Sequence, residues 1–196
     1  MADPAIAAKR RSLFWMAAFI IGTFGTGIAA RSIGLGGVWT MIVMLPPMLL
    51  LIPMIRSVER SSAAQGCASP ALKRYNRRAL IWSFTYVAAL FLAITVDQKM
   101  KPEGPLLWIV GVLPALPILY MVWSFYRYLV EETDEYLKMR NVGNALFGLG
   151  LLLTVATIWG FLESFRLVPH APGWLAVPVW GIGLGVAQIW RWARGS

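Results

Sequence analysis

Four carboxylates in one short run are the residues best suited to chemistry in this chain: Glu131, Glu132, Asp134 and Glu135. Closely spaced carboxylates can hold a hard cation such as Mg²⁺ or Ca²⁺, although this spacing matches no calcium-binding loop. They can also dock a basic protein partner through complementary charge. The third interpretation is structural, with Thr133 as a helix N-cap and Asp134 and Glu135 in the first turn, where the helix dipole favours anions.

A basic run earlier in the chain carries the opposite charge: Lys73, Arg74, Arg77 and Arg78. Ser69 and Pro70, just before it, are residue types typical of an N-cap and a first helical position. The run is therefore predicted to lie in a helical extension with its four cations on one side. There it is expected to contact anionic lipid headgroups, which attract such residues by about 1 kcal/mol per charge. Opposite charge also predicts that this extension lies close to the acidic run.

Residue counts exclude several other chemistries. The chain has one histidine, His170, and one cysteine, Cys67, which we interpret as a loop thiol. Bis-histidine haem, multi-cysteine metal sites and an intramolecular disulfide are therefore excluded. The sequence also lacks a glycine-rich phosphate loop followed by Lys-Ser or Lys-Thr. We predict no catalytic residue, no metal site and no cofactor.

The elements that must position these residues are membrane-spanning helices. The chain is 58% hydrophobic and only 14% charged, whereas a soluble domain carries about a quarter charged residues. Crossing a bilayer takes about 20 apolar residues, and six intervals contain no Lys, Arg, Asp or Glu at all. The short connections between them predict an all-α, polytopic fold, a six-helix bundle of three antiparallel hairpins. The predicted spans are residues 13–30, 37–55, 79–96, 105–126, 142–162 and 173–190.

Basic residues predict the orientation of these spans. With the N-terminus in the cytoplasm, fourteen of the eighteen Lys and Arg residues fall on the inside, as the positive-inside rule requires. We therefore expect a multi-pass protein of the bacterial inner membrane with both termini cytoplasmic. Its parts are a basic tail (1–12), the transmembrane domain (13–192) and a cytoplasmic C-terminus (193–196). This asymmetry explains the net charge of +9 without direct nucleic-acid binding.

Prolines and glycines predict where helices bend and where they touch. Prolines lie within spans two, four and six and are absent from the interiors of the other three, so each hairpin is predicted to pair a straight helix with a kinked one. Gly181 and Gly185 in span six form a Gly-xxx-Gly pair that lets helix backbones approach. We expect this face to pack against another helix of the same chain. The alternative is a homo-oligomer interface.

The stretches EETDEYLKMR (131–140) and WGFLESFRLVPH (159–170) carry the single resemblance to other proteins. Together with span five, they resemble small uncharacterised bacterial inner-membrane proteins, some encoded beside helix-turn-helix regulators. The resemblance covers roughly the last third of the chain and implies no mechanism by itself.

Three functional hypotheses follow, in order of preference. The first is a non-enzymatic accessory, scaffold or regulatory anchor that docks a basic cytoplasmic partner at its acidic run. The second is a small transporter or channel for an uncharged or weakly polar solute, because ion-coupled transporters place Asp, Glu or His within a span and this chain does not. The third is a lipid-modifying membrane enzyme.

Overall fold

The structure is a computed structural model that describes residues 4–35, 38–64 and 69–194, so Cys67 lies outside the described residues. The described part of the chain is helical and contains no β-strand. A 3₁₀ turn, Gly173–Leu175, precedes the last of the α-helices. These helices are α1 (Pro4–Ser32), α2 (Val38–Leu49), α3 (Leu51–Ala64), α4 (Pro70–Met100), α5 (Pro105–Val112), α6 (Ala115–Glu131), α7 (Glu135–Ser164) and α8 (Ala176–Arg194).

Six helical stretches among the described residues are long and apolar enough to cross a membrane. The predicted all-α fold with six membrane-spanning helices is therefore confirmed. With 31 and 30 residues, α4 and α7 each reach about 45 Å at about 1.5 Å per residue. The hydrocarbon layer is only about 30 Å thick, so both helices are long enough for the charged extensions predicted at their N-terminal ends.

Prolines break two of the spans into pairs of helices. Span two is divided into α2 and α3 at Leu50. Pro53 has no N–H to donate to the carbonyl of Leu49, four residues back, and its ring crowds that carbonyl. Pro114 and Pro117 act in the same way in span four, which is divided into α5 and α6 at residues 113–114. Both breaks lie in spans that were predicted to bend at their prolines.

The other spans are continuous. Spans one, three and five, which contain no interior proline, form the single helices α1, α4 and α7. Span six differs from the expectation, because Pro178 lies in the first turn of α8, where its missing N–H has no intrahelical acceptor to lose. The pairing of a straight helix with a bent one therefore holds for the first two hairpins.

The helices pack in two compact units, Met1–Glu131 and Glu132–Ser196. In the first unit, α1 packs against α2 and α3, and α4 packs against α5 and α6. Helices α2 and α3 also contact α4. In the second unit, α7 packs against α8. These contacts form the three hairpins that the short connections predict.

Large apolar side chains remain exposed along the helices. In α1, for example, Ile21, Phe24 and Ile28 are each 69–70% exposed. Their spacing places them on one face of the helix. An exposed apolar face of this kind is typical of a membrane or partner interface.

A close backbone contact between α7 and α8 is made by a glycine other than those predicted. Gly183 is buried, and a Cβ added there would lie 2.6 Å from the Cα of Gly148. Gly181 and Gly185 are exposed, with open space at the same position. Within this unit, Gly183 rather than Gly181 or Gly185 approaches the backbone of α7, and helix packing at Gly181 and Gly185 stays a prediction. The reason is the helical register, which places Gly183 and the buried Ala187, one turn apart, on the packed face.

Candidate functional site

Helix α4 begins as its sequence predicts. Ser69 has an extended backbone, and its side-chain oxygen accepts a 3.0 Å hydrogen bond from the backbone N–H of Leu72. Pro70 is the first helical residue. The side-chain bond satisfies one of the N–H groups that a helix leaves unpaired at its start. It therefore fixes the turn from which the basic run extends.

The four cations of the basic run have different surroundings. Arg74 and Arg78, one helical turn apart, form ion pairs with a carboxylate of α6. Lys73 and Arg77 are exposed. The expected contact of all four with anionic lipid stays a prediction, and two of the four have an internal partner.

That partner is Glu131, the last residue of α6. Its carboxylate accepts bonds from Arg74 Nε at 2.7 Å and from Arg78 Nη2 at 2.8 Å. Arg127, one turn earlier in α6, contributes Nη2 at 2.9 Å. We call these four residues the Glu131 cluster. The predicted proximity of the acidic run to the extension of α4 is thus confirmed for Glu131.

Burial within the Glu131 cluster shows which ion pair matters most. The side chains of Glu131 and Arg78 are only 13% and 16% exposed, whereas those of Arg74 and Arg127 are 52% and 46% exposed. Exposed ion pairs contribute little, because water and salt screen them, and removing one partner of a buried pair strands a charge. Arg78 is therefore the arginine whose charge depends most on Glu131 for compensation. Three cations around one carboxylate leave the cluster with a net positive charge.

An aromatic ring of α6 contacts the guanidinium groups of Arg78 and Arg127. The guanidinium carbons of Arg78 and Arg127 lie 5.5 and 5.8 Å from the ring centroid of Trp123, which is cation–π distance. Tyr120 stacks on Trp123 at 5.4 Å between ring centroids. These rings limit the positions that both arginines can adopt, and so preserve the geometry around Glu131.

The rest of the acidic run has other roles. Asp134, rather than the expected Thr133, is the N-cap of α7, and its Oδ1 accepts a 3.1 Å bond from the backbone N–H of Leu137. Glu132 is 3% exposed, and its carboxylate accepts a bond of 3.4 Å from the backbone N–H of Asp134. Glu135 is 3.7 Å from Lys138 Nζ. The four carboxylates therefore do not converge on one point.

A mixed surface remains open at the start of α7. Asp134 and Glu135 are exposed, and so are Tyr136 and Met139. A cavity of about 290 Å³ opens beside them, lined by Tyr136, Met139, Arg140 and Arg191. We call the four exposed residues the α7 surface. It offers carboxylates next to an aromatic ring and a flexible thioether, and both Tyr and Met are enriched at protein interfaces.

Sequence reasoning did not assign Arg127 to this site. The information was present, because Arg127 and Glu131 are four residues apart and therefore neighbours on a helix face. It was missed because residue 131 was placed in a loop after span four, whereas α6 remains helical through Glu131. Within the described ranges, no group of three or more His, Cys, Asp or Glu residues could hold a metal ion.

The loop between α7 and α8 holds a second polar cluster. The carboxylate of Glu163 is 2.6 Å from His170 Nδ1 and accepts a 3.3 Å bond from the backbone N–H of Ala171. Trp159 donates its ring N–H to the carbonyl of Pro169 at 3.1 Å. The single histidine of the chain is 80% exposed here. These bonds tie the loop to the end of α7.

Comparison with known proteins identifies no relative of this chain. No family model matches this chain, and neither a curated protein nor a solved structure matches it.

Proposed function

We propose that this protein lies in the inner membrane of a bacterium with both termini in the cytoplasm. The support is that fourteen of its eighteen basic residues fall on one side of the six spans, as the positive-inside rule requires. In this orientation the start of α4, the end of α6 and the start of α7 are all cytoplasmic. Reporter fusions after residues 65, 100, 137 and 168 should read inside, outside, inside and outside. Any reversal or loss of that alternation contradicts the topology.

Its role is that of a non-enzymatic accessory, scaffold or regulatory anchor. The observation that carries this proposal is the α7 surface, where Asp134 and Glu135 stay exposed while Glu131 is enclosed by arginines. The N-cap bond of Asp134 holds the first turn of α7 in place, so both carboxylates lie at a fixed helix start. A docking surface benefits from such preorganisation, because less conformational freedom is lost on binding.

The partner is a cytoplasmic protein segment that combines basic residues with an apolar side chain. Basic residues of the partner would pair with Asp134 and Glu135, which orients the partner and raises its association rate. The apolar side chain would cover Tyr136 and Met139, which are 65% and 66% exposed. Removal of that area from water would supply affinity.

A photo-crosslinking amino acid at position 139 tests this proposal in native membranes. Asp134→Asn with Glu135→Gln removes both charges, and Asn still caps the helix. We expect the cross-linked partner to be lost in this variant. It should be kept in the matched control Asp97→Asn with Glu103→Gln, which removes one carboxylate in the last turn of α4 and one just beyond that helix. Equal cross-linking in both variants would contradict docking through the carboxylates of the α7 surface.

A transporter for a small uncharged or weakly polar solute is the second candidate, and specific observations favour it. Spans two and four are broken at Leu50 and at residues 113–114, and broken helices line the substrate sites of many transporters. Trp82 Nε1 on α4 and Ser124 Oγ on α6 are buried without a hydrogen-bond partner among the described residues, and such donors could bind a polar solute. Uptake of glycerol or urea into proteoliposomes tests this role; rates equal to those of empty vesicles contradict it for these solutes.

A further inference from the structure

A second basic site lies between α1 and α3 and shares no residue with the Glu131 cluster. A surface cavity of about 400 Å³ is lined there by Ala7, Ala8 and Arg11 of α1 and by Ser57 and Arg60 of α3. The volume falls in the range of about 300–1,000 Å³ that is common for small-molecule sites. Both arginines are exposed, so their side chains are accessible to a ligand from solvent.

Neither guanidinium has an anionic partner within the part of the chain that the structure describes. The described ion pairs include no bond from Arg11 or Arg60 to a carboxylate. Glu59, next to Arg60 in sequence, accepts a 3.1 Å bond from Asn76 of α4. The hydroxyl of Ser57 donates to the carbonyl of Met54 at 2.7 Å, so its proton is already used. The donors that this cavity offers to a ligand are therefore the two guanidinium groups.

Comparison with the Glu131 cluster shows that the arginines of the cavity lack a carboxylate partner among the described residues. In that cluster, converging arginines are joined by a carboxylate from the same chain. At the cavity, two arginines line the same surface, and no carboxylate is among the described lining residues. Two cations close together repel each other, and an anion placed between them turns that repulsion into attraction. The complementary ligand is an anion that can accept several N–H bonds at once.

We propose that the cavity between α1 and α3 binds a phosphate group. Phosphate oxygens accept the paired N–H bonds of guanidinium in the fork geometry that favours arginine over lysine. Two sources share this chemistry, an anionic phospholipid headgroup and a soluble phosphate compound. The site is separate from the α7 surface, so its failure would leave the docking proposal standing.

Affinity measurements on the purified full-length chain in detergent test the site. The probes are phosphatidylglycerol, phosphatidylcholine and inorganic phosphate, with lipid adducts counted by native mass spectrometry. Arg11→Gln with Arg60→Gln removes both proposed donors. Arg10→Gln with Arg56→Gln is the matched control, because these arginines are exposed on the same two helices and do not line the cavity. Ala8→Leu fills the cavity without a change in charge, and thermal unfolding confirms that each variant is folded.

The proposal expects phosphatidylglycerol affinity to fall about thirtyfold in Arg11→Gln/Arg60→Gln, because two charges are lost, and to fall in Ala8→Leu, with a smaller fall in the control. Displacement of the lipid by millimolar inorganic phosphate would assign the site to soluble phosphate compounds. Failure of phosphate to displace it would assign the site to the headgroup. Equal losses in the two double variants would show diffuse attraction and overturn the site. Full affinity in Ala8→Leu would also overturn the site. A wild-type protein that binds neither phosphatidylglycerol nor inorganic phosphate would overturn it as well.

Discussion

Two helix pairs of this protein are held together by different means. The α4–α6 pair is joined partly by charge, through the ion pairs of Arg74 and Arg78 with Glu131 beside ring contacts of Tyr75 with Phe125 and Tyr128. The α7–α8 pair is joined by close backbone approach, through Gly183 against Gly148. A close contact between backbones is sensitive to added side-chain volume and little affected by salt, whereas a contact between charges responds to salt and to neutralisation. The two pairs should therefore fail under different perturbations.

Gly183→Leu should have the largest effect. A Cβ at this position would lie 2.6 Å from Gly148 Cα and 3.2 Å from its carbonyl oxygen, and backbone atoms cannot move aside as a side chain can. Overpacking of this kind costs about 1–3 kcal/mol, so the melting temperature in detergent should fall clearly. Gly181→Leu, which enters open space, is the control. Equal melting temperatures for the two variants would contradict the α7–α8 contact described here.

Glu131→Gln should have the next largest effect. It leaves the guanidinium groups of Arg74, Arg78 and Arg127 without their carboxylate, so that they repel one another. We expect a lower melting temperature than in wild type at low salt, and a smaller difference at high salt, because salt screens the repulsion. Arg77→Gln removes an exposed charge from the same end of α4 and should change little. An effect of Glu131→Gln that does not depend on salt would argue against an electrostatic contact.

Ser69→Ala should have a smaller effect, confined to one helix end. The substitution removes the acceptor of the Leu72 N–H, and the loss of an N-cap typically costs about 1 kcal/mol. Faster hydrogen exchange is expected at the first turn of α4, because that turn frays. Ser69→Asp keeps an acceptor at the cap and should preserve protection. Unchanged exchange in Ser69→Ala would show that Pro70 and packing fix the turn alone.

The fold was predictable because the bilayer imposes long uncharged intervals, and the intervals in this sequence are unambiguous. The approach of the basic run to Glu131 was also predictable, from opposite charges next to consecutive spans. The cap of α7 was not, because Thr133 and Asp134 both have side chains able to cap a helix. Nor was the glycine contact of α8, since glycines at 181, 183 and 185 permit two registers. The buried Ala187, four residues after Gly183, is the feature that distinguishes them.

We propose two separate roles within the acidic run: Glu131 stabilises the fold, and Asp134 and Glu135 bind the partner. Cross-linking from position 139 tests both halves when Glu131→Gln is compared with Asp134→Asn/Glu135→Gln, each measured below its melting temperature. We predict that Glu131→Gln keeps the cross-linked partner while its melting temperature falls. We predict that Asp134→Asn/Glu135→Gln loses the partner at an unchanged melting temperature. Loss of the partner in Glu131→Gln, with retention in the double variant, would contradict the claim.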